Sequence, residues 1–449
     1  MKKLLFIIAS VAILFSGCKS KEEKANEKEQ ILAKRRKHNM KLYPIYIMMG
    51  FDLLFFYGIR VMFFSQVKGF TNAQIMLSSS LYAIFTVALQ LPATLIVTKV
   101  GKKYGAILGN IFNCLCMISM FFINNFIGLT IAQFISAVGL ALKNVSDANI
   151  LSSSIPEGEN ASDTFTKIDK VAYSRYCFMS AATTVFAGYI YDVNPYIPIC
   201  LCLVSCLIAT FIAFNFSDIE EPKKNKIILK DYLKEFKQAM KFTVNSKRLR
   251  ALLLTTGVAW GIITLIDVYQ LALLQDIGTS SFIIGIVFAM YEISRAIFSR
   301  LAPKFNQAFG NKSLTNILLI FSFGMIMCGI MAILNISFPI KLTVIVICIL
   351  TMGGINAIEQ ILAKKYMNNF ANHKVISSIY AAKSMSDNLW RTFITGIGSL
   401  ILTICNVDIA IIAAGVILII VTFILALYMS TRLGLEPDEY TQKDIYIRK

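Results

Sequence analysis

Apolar residues run along this chain in blocks of about 20 or more, each long enough as a helix to cross a hydrocarbon layer roughly 30 Å thick. The blocks predict helical spans near 43–67, 72–98, 105–123, 126–150, 170–192 and 196–215, then near 250–275, 281–302, 313–334, 340–363, 375–403 and 407–430. Between the two sets of six lies a break, 218–249. It carries EEPKKNK and the amphipathic stretch LKDYLKEFKQAMKF, too polar to span and suited to lying along a membrane surface.

The polar punctuation between blocks is lopsided in sign. With residue 42 on the inner side, about thirty Lys and Arg fall in the N-terminal segment, the even-numbered loops and the C-terminal tail, against two, Lys68 and Lys341, in odd-numbered loops. Cytoplasmic loops retain basic residues, so this bias predicts that both ends of the helical body face the cytoplasm of a cell membrane. It also accounts for the formal charge of +18 without nucleic acid.

The first residues are of another kind. Lys2-Lys3, an apolar run from Leu4 to Phe15, and Leu14-Phe15-Ser16-Gly17-Cys18 resemble a bacterial lipoprotein signal peptide, with the Leu one place early. A processed lipoprotein has its Cys outside, which would put the basic residues 34–41 outside too, against the charge bias. The bias favours residues 1–18 as an uncleaved extra segment or a start near Met40; lipidation at Cys18 is the alternative. Residues 19–41 have the Lys/Glu-rich composition of a disordered linker.

Composition narrows the class. With 56% apolar and 16% charged residues, lipid and not water is the main solvent. Nine of the ten cysteines fall in or at the ends of apolar spans, as small packing residues rather than disulfides or metal ligands. The two histidines, His38 and His373, lie in polar stretches. No metal or cofactor is called for. The chain lacks His-Glu-x-x-His, Gly-x-Ser-x-Gly and a Gly-Lys-[Ser/Thr] nucleotide loop, and Tyr191-Asp192 is only half of an intramembrane aspartyl protease pattern, so an enzyme is not expected.

Six spans, a long cytoplasmic connection and six more resemble the major facilitator superfamily over roughly residues 42–435. The most specific local match is TKVGKK after the second span, where Lys99, Gly101, Lys102 and Lys103 fit Gly-x-x-x-Asp-Arg-x-Gly-Arg-Arg while Thr94 and Thr98 replace its Gly and Asp. The motif has a tight turn at Gly101 with cations at the inner face, serving as a gating loop. In the second half, PKFNQAFGNK keeps Gly310 and Lys312. The resemblance implies an all-α membrane protein of twelve helices in two six-helix bundles, 42–217 and 250–433, joined by the linker 218–249 and followed by the tail 434–449. The halves would be related by a parallel pseudo-repeat around one cavity that opens to either side alternately. The sugar-porter signatures after spans six and twelve are absent, although Glu221-Pro222 and Glu436-Pro437 sit nearby.

An ion at bilayer depth costs about 2.5–3.5 kcal/mol, so charges inside spans are functional candidates. Asp52 and Arg60 lie on the first span, eight residues or roughly 12 Å apart if the helix is continuous. Glu292 and Arg295 meet at i,i+3 on the eighth, and Lys383, Asp387 and Arg391 form an i,i+4 ladder on the eleventh. Arg60, Arg295, Lys383 and Arg391 are candidates to hold an anionic group of a substrate. Asp52, Glu292 and Asp387 are candidates for a coupling proton, because a carboxyl out of water favours its neutral form. The alternative for all seven is structural ion pairing. Lys143, Asp147, Arg175 and Glu359 read as inner-interface or gating residues and Asp267 as an outer residue of the seventh span; Gln90-Pro92, Trp260 and Asn356 are candidate cavity lining.

The function expected is secondary active transport of a small, anionic organic solute by a monomer, coupled to a proton or ion. Export of amphipathic compounds is the nearest alternative, and a lipid-anchored binding protein, suggested by the leader, is the alternative from another class. A cysteine placed at Lys224 in a background cleared of native cysteines should react with an impermeant maleimide only from the cytoplasmic side, and one at Lys68 only from the other. Labelling of position 224 from outside intact cells would overturn the topology.

Overall fold

In a computed structural model of the chain, the described residues are 21–156, 161–219, 246–370 and 376–430. Residues 1–20 with Cys18, most of the 218–249 linker, His373 and the tail 434–449 lie outside them. Among the described residues are twelve α-helices of 18 residues or more: α1 (Lys21–Gly50), α2 (Asn72–Val100), α3 (Lys102–Phe122), α4 (Phe126–Ser154), α5 (Ala161–Val193), α6 (Ile197–Phe214), α7 (Lys247–Asp276), α8 (Ser281–Ser299), α9 (Ser313–Ile333), α10 (Phe338–Phe370), α11 (Ile376–Ile404) and α12 (Val407–Ser430). A short helix, Ala302–Phe309, links α8 to α9.

Side chains at the helix starts satisfy backbone N–H groups that no preceding turn can bond. The Thr71 hydroxyl accepts from Gln74 N while the Gln74 side chain accepts from Thr71 N, a reciprocal box at the start of α2. Asn125 caps α4, Ser246 caps α7 and Ser280 caps α8 in the simpler one-bond form. Nine helices among the described residues are long and apolar enough to cross a membrane. The three left over, α1, α5 and α11, are those with the most polar stretches.

Two expectations about the first span change. The charged stretch before residue 42, whose composition suggests disorder, is helical from Lys21. It is rich in Glu, Lys and Ala, good helix formers, and it is tied down: Asn39 is buried, donates to Ser217 O (2.9 Å) and accepts from Ser217 N (2.8 Å), so α1 grips the chain leaving α6. The span also does not run unbroken to 67. It ends at Gly50 and resumes as a 3-10 turn at Tyr57–Ile59 followed by a π-type turn at Phe63–Val67. Phe55, in the gap between Gly50 and Tyr57, sits at φ 64°, a left-handed conformation costing about 1–2 kcal/mol for a side chain with a Cβ.

Packing within the first six helices recurs six helices later. α1 packs on α4, α5 and α6, α2 on α4, and α3 on α4 and α6; likewise α7 packs on α10, α11 and α12, α8 on α10, and α9 on α10 and α12. The contacts joining the sets obey the same rule, since α2–α11 and α5–α8 exchange under it. Most of the hydrogen bonds and close approaches seen between the sets lie in the half of the helices ending in the loops poor in Lys and Arg, or at mid-depth, while Arg295 to Tyr173 (3.4 Å) joins α8 to α5 nearer the basic-rich end. Ser80 bonds Thr392 O (2.6 Å) and Thr395 (2.8 Å), Ser399 donates to Ala73 O (2.8 Å), and Ser65 meets Gln275 (2.9 Å).

At the α5–α8 crossing the backbones themselves touch. A Cβ on Gly188 would stand 2.5 Å from Ser281 O, and one on Gly285 2.9 Å from Thr184 O. The main hydrophobic core runs through both sets, whereas Tyr43, Tyr46, Ile107, Leu151 and Phe216 form a separate core within the first six at the basic-rich end.

Gly188→Leu should therefore wedge α5 from α8, at an overpacking cost of about 1–3 kcal/mol. A cysteine at Gln275 should then label several-fold faster from the basic-poor side than in the parent. Unchanged labelling would mean that this crossing does not hold that side shut.

Candidate functional site

The break in α1 places the site. Beyond Gly50 the Asp52 carboxylate accepts a hydrogen bond from Leu53 N (2.7 Å), giving the interrupted backbone a side-chain partner. The turn that follows directs the Tyr57 hydroxyl across to α7, where it donates to Asp267 Oδ2 at 2.7 Å. Arg60 then lies with its guanidinium 4.7 Å from the centre of the Tyr57 ring. Asp52 and Arg60 are thus separated by a bend, not by two turns of one continuous helix.

From the opposite side, α11 brings Arg391 over the ring of Tyr82 on α2, at 5.1 Å. Its Nε is buried without a hydrogen-bond partner among the described residues. Arg391 and Arg60 stand within coulombic range of each other and of Asp267. The anticipated ladder on α11 is only half formed: Lys383 Nζ pairs with Asp387 Oδ2 at 2.5 Å, while Arg391 turns away to α2. The cause is tertiary, because the phenol face on α2 competes for the guanidinium.

The third cation is engaged. Arg295 on α8 bonds both carboxylate oxygens of Glu292, at 3.0 and 3.2 Å, and its Nη2 reaches the Tyr173 hydroxyl at 3.4 Å. Tyr291 lies beside it and accepts from Asn356 Nδ2 on α10 at 3.3 Å. Tyr173 and Tyr176 pack on the half-exposed Phe51 at the α1 break, making an aromatic wall.

These groups meet where the two sets of six face each other, in a region (the chamber) bounded by the Ser80–Thr392 and Tyr57–Asp267 contacts and with cations resting on aromatic faces. The candidates at depth gather at two places: Asp52, Arg60, Arg391, Glu292 and Arg295 around the chamber, with Asp387 beside Lys383 nearer the basic-rich end. Asp267 lies in the outer part of α7, nine residues from its end, and from there reaches the Tyr57 hydroxyl at the edge of the chamber. The tyrosines were not singled out at all. Their available signal was spacing, since Tyr57 and Arg60, like Tyr173 and Tyr176, lie i,i+3 and share a face.

Lys143 and Asp147 lie outside the chamber. Lys143 is 2% exposed and sits inside the first set, held by Asp147 (3.2 Å), Tyr46 Oη (3.0 Å) and Asn110 Oδ1 (3.2 Å). A fully partnered ammonium of this kind fastens α1 and α3 to α4.

The basic loop behaves as a turn. Gly101 has φ 100°, open to a residue without a Cβ, and both ends α2 and begins α3. Lys102 and Lys103 border a cleft of about 300 Å³ with Asn39, Asn149 and Asp218. Thr94 and Thr98, in place of the motif's Gly and Asp, bond back to Gln90 O and Thr94 O within their own helix.

Three solved structures illustrate the likeness of the fold. The nucleoside transporter NupG aligns at TM-score 0.62 and 11% identity over 91% of this chain and 100% of its own. A POT family transporter in complex with 5-aminolevulinic acid aligns at 0.65 and 12% over 90% and 96%, and a D-xylose-proton symporter at 0.63 and 11% over 90% and 97%. No curated protein sequence matches the chain. The sequence model of the Major Facilitator Superfamily matches residues 42–390. With apolar helices long enough to span a membrane, a packing order that repeats every six helices and a matched segment covering most of its length, the chain belongs to the major facilitator superfamily.

Proposed function

We propose that the protein is a twelve-span secondary carrier of two six-helix bundles, 42–217 and 250–433, whose chamber takes a small organic solute bearing an anionic group. The carrying observation is the imbalance among the chamber's cations. Glu292 already holds Arg295 and Asp387 already holds Lys383, whereas Arg60 and Arg391 rest on tyrosine rings, with Asp267 bonded to Tyr57 and Asp52 to Leu53 N rather than to either guanidinium. Counting Asp52, Asp267 and Glu292 against Arg60, Arg391 and Arg295 the formal charges cancel, but no carboxylate is ion-paired with Arg60 or Arg391 among the described residues, and an unpaired planar guanidinium suits carboxylate or phosphate. The aromatic wall of Phe51, Tyr173 and Tyr176 suits a flat apolar body on the same solute.

Alternating access fits the packing. The two sets are pinned together on the basic-poor side, which the charge bias assigns to the exterior, so this conformation is read as facing the cytoplasm. Passage to the other state requires Tyr57–Asp267, Ser65–Gln275 and Ser80–Thr392 to part. Solute entering the chamber displaces water from Arg60 and Arg391 and loosens their hold on Asp267, which offers a link between binding and the opening of that side. The neighbours titled as a D-xylose-proton symporter and a POT family transporter make a coupling proton a natural companion of this reading. Asp52, Glu292 and Asp387 are its candidate carriers.

The test is uptake by proteoliposomes of matched pairs of solutes, an aromatic carboxylic acid against its amide. Acids should enter and amides should not, and Arg60→Met or Arg391→Met should weaken acid binding by about 2–5 kcal/mol, which is roughly 30-fold or more. Equal handling of acid and amide would refute the anionic assignment. Under an imposed pH gradient, at least one of Asp52→Asn, Glu292→Gln and Asp387→Asn should abolish gradient-driven accumulation. Accumulation undiminished in all three would remove those acids as proton carriers.

A further inference from the structure

Among the described residues, one buried acid belongs to neither the anion chamber nor any bonded pair. Glu359 on α10 is 2% exposed, and its Oε1 is buried without a hydrogen-bond partner among the described residues. The charged groups in coulombic range of it are Lys383 and Asp387, both on α11. The other elements packed on α10 direct their charges elsewhere. On α8 Glu292 holds Arg295, on α7 Asp267 receives Tyr57, Arg250 Nε reaches Tyr428 and the buried Arg248 is engaged away from Glu359, on α11 Arg391 lies over Tyr82, Lys304 on the short helix is exposed, and α9 carries no charged residue.

The formal charges of this cluster do not cancel. Two carboxylates and one ammonium sum to −1 in a buried, lipid-embedded site, where an uncompensated ion costs several kcal/mol. Two acids that share a site do not both stay ionised. Asp387 Oδ2 takes the Lys383 ammonium at 2.5 Å, so Asp387 is the member held as an anion, and Glu359 is the member left without a donor.

We infer that Glu359 carries the transported proton: one H⁺ resides on its carboxyl in this conformation, making the Glu359–Lys383–Asp387 cluster neutral, and leaves it during the transport cycle. The step is a simple proton transfer. An O–H bond forms on Glu359 as the cluster goes from −1 to 0, and breaks on release. Glu359 lies 11 residues before the basic-rich end of α10 and Lys383 seven residues into α11 from the same end, so the proton exchanges on the side where the chamber is open. The Lys383–Asp387 pair then acts as a counter-charge: whenever Glu359 ionises, the two acids compete for one ammonium, and α10 and α11 are pushed to new relative positions. This assignment to transport rests on the carrier reading and sets Glu359 in place of Asp52, Glu292 and Asp387 as the residue that carries the proton, with Asp387 its counter-charge; the proton itself can be read without any transported solute.

The experiment is an infrared pH titration of the full-length protein in liposomes, with the carboxylic-acid carbonyl band as the probe. A band that disappears as pH rises is expected, displaced when glutamate is ¹³C-labelled, lost in Glu359→Gln and regained at a different frequency in Glu359→Asp. Asp387→Asn should also abolish it, because one acid facing one ammonium is neutral without a proton. Absence of the band in the parent, or a band indifferent to glutamate labelling, would overturn the assignment with no mutant needed. The same proteoliposomes report on coupling: gradient-driven accumulation of the aromatic acid should be lost in Glu359→Gln while exchange of labelled for unlabelled acid persists. Loss of the band with accumulation intact would show that this proton is not the transported one, leaving the carrier reading itself untouched.

Discussion

A charge in hydrocarbon has to find its partner within the protein, and that constraint orders the rest of this structure. Each ionic group at depth is resolved in a different way. Lys143 is surrounded by Asp147, Tyr46 and Asn110 and becomes a fastener inside the first six helices. Arg295 is consumed by Glu292 on its own helix. Arg60 and Arg391 lean on tyrosine faces, a partial compensation that leaves them able to attract an anion. Differences in partnering, not in residue type, separate structural from functional charges.

The broken first helix follows from the same logic. A continuous α1 would hold Tyr57 and Arg60 in register with Tyr46, which is committed to Lys143 and Asn110. Interrupting it at residues 51–56 lets the inner part stay with α3, α4 and α6 while the outer part joins α7. Backbone groups freed in such an interruption are tolerable because the segment lines a polar chamber and not lipid. The left-handed Phe55 is a local cost of this division of labour.

Much of this was legible in the chain. Helix positions came out within a few residues for most of the predicted blocks, because a length of about 20 apolar residues is set by bilayer thickness alone. The pairs Glu292–Arg295 and Lys383–Asp387 were legible as well, since i,i+3 and i,i+4 spacing makes neighbours on any helix. Arg391 was misread for a reason that spacing cannot supply: its aromatic partner is on α2, in the other set of six helices. The depth of Asp267 was legible from its distance to the span end, but its partner was not, because the Tyr57 hydroxyl that engages it comes from another helix. The helical state of residues 21–41 was missed because composition describes an isolated segment, and the Asn39–Ser217 clasp is a contact between segments.

By itself the sequence determined that the chain is a helical protein of apolar spans with basic residues concentrated in alternate loops and ionic residues within the spans, because hydrophobicity, span length and i,i+4 neighbourhood are local properties. Only the tertiary structure decided that packing repeats every six helices, which side the two sets close, and which acids and bases meet. Those outcomes depend on contacts between helices remote in sequence, where a tyrosine face or a second carboxylate can outcompete the partner four residues away. Glu359 is the sharpest instance. A single Glu in a long apolar span looks the same in sequence whether it is paired or not; the fold sets it beside an ammonium already taken by Asp387.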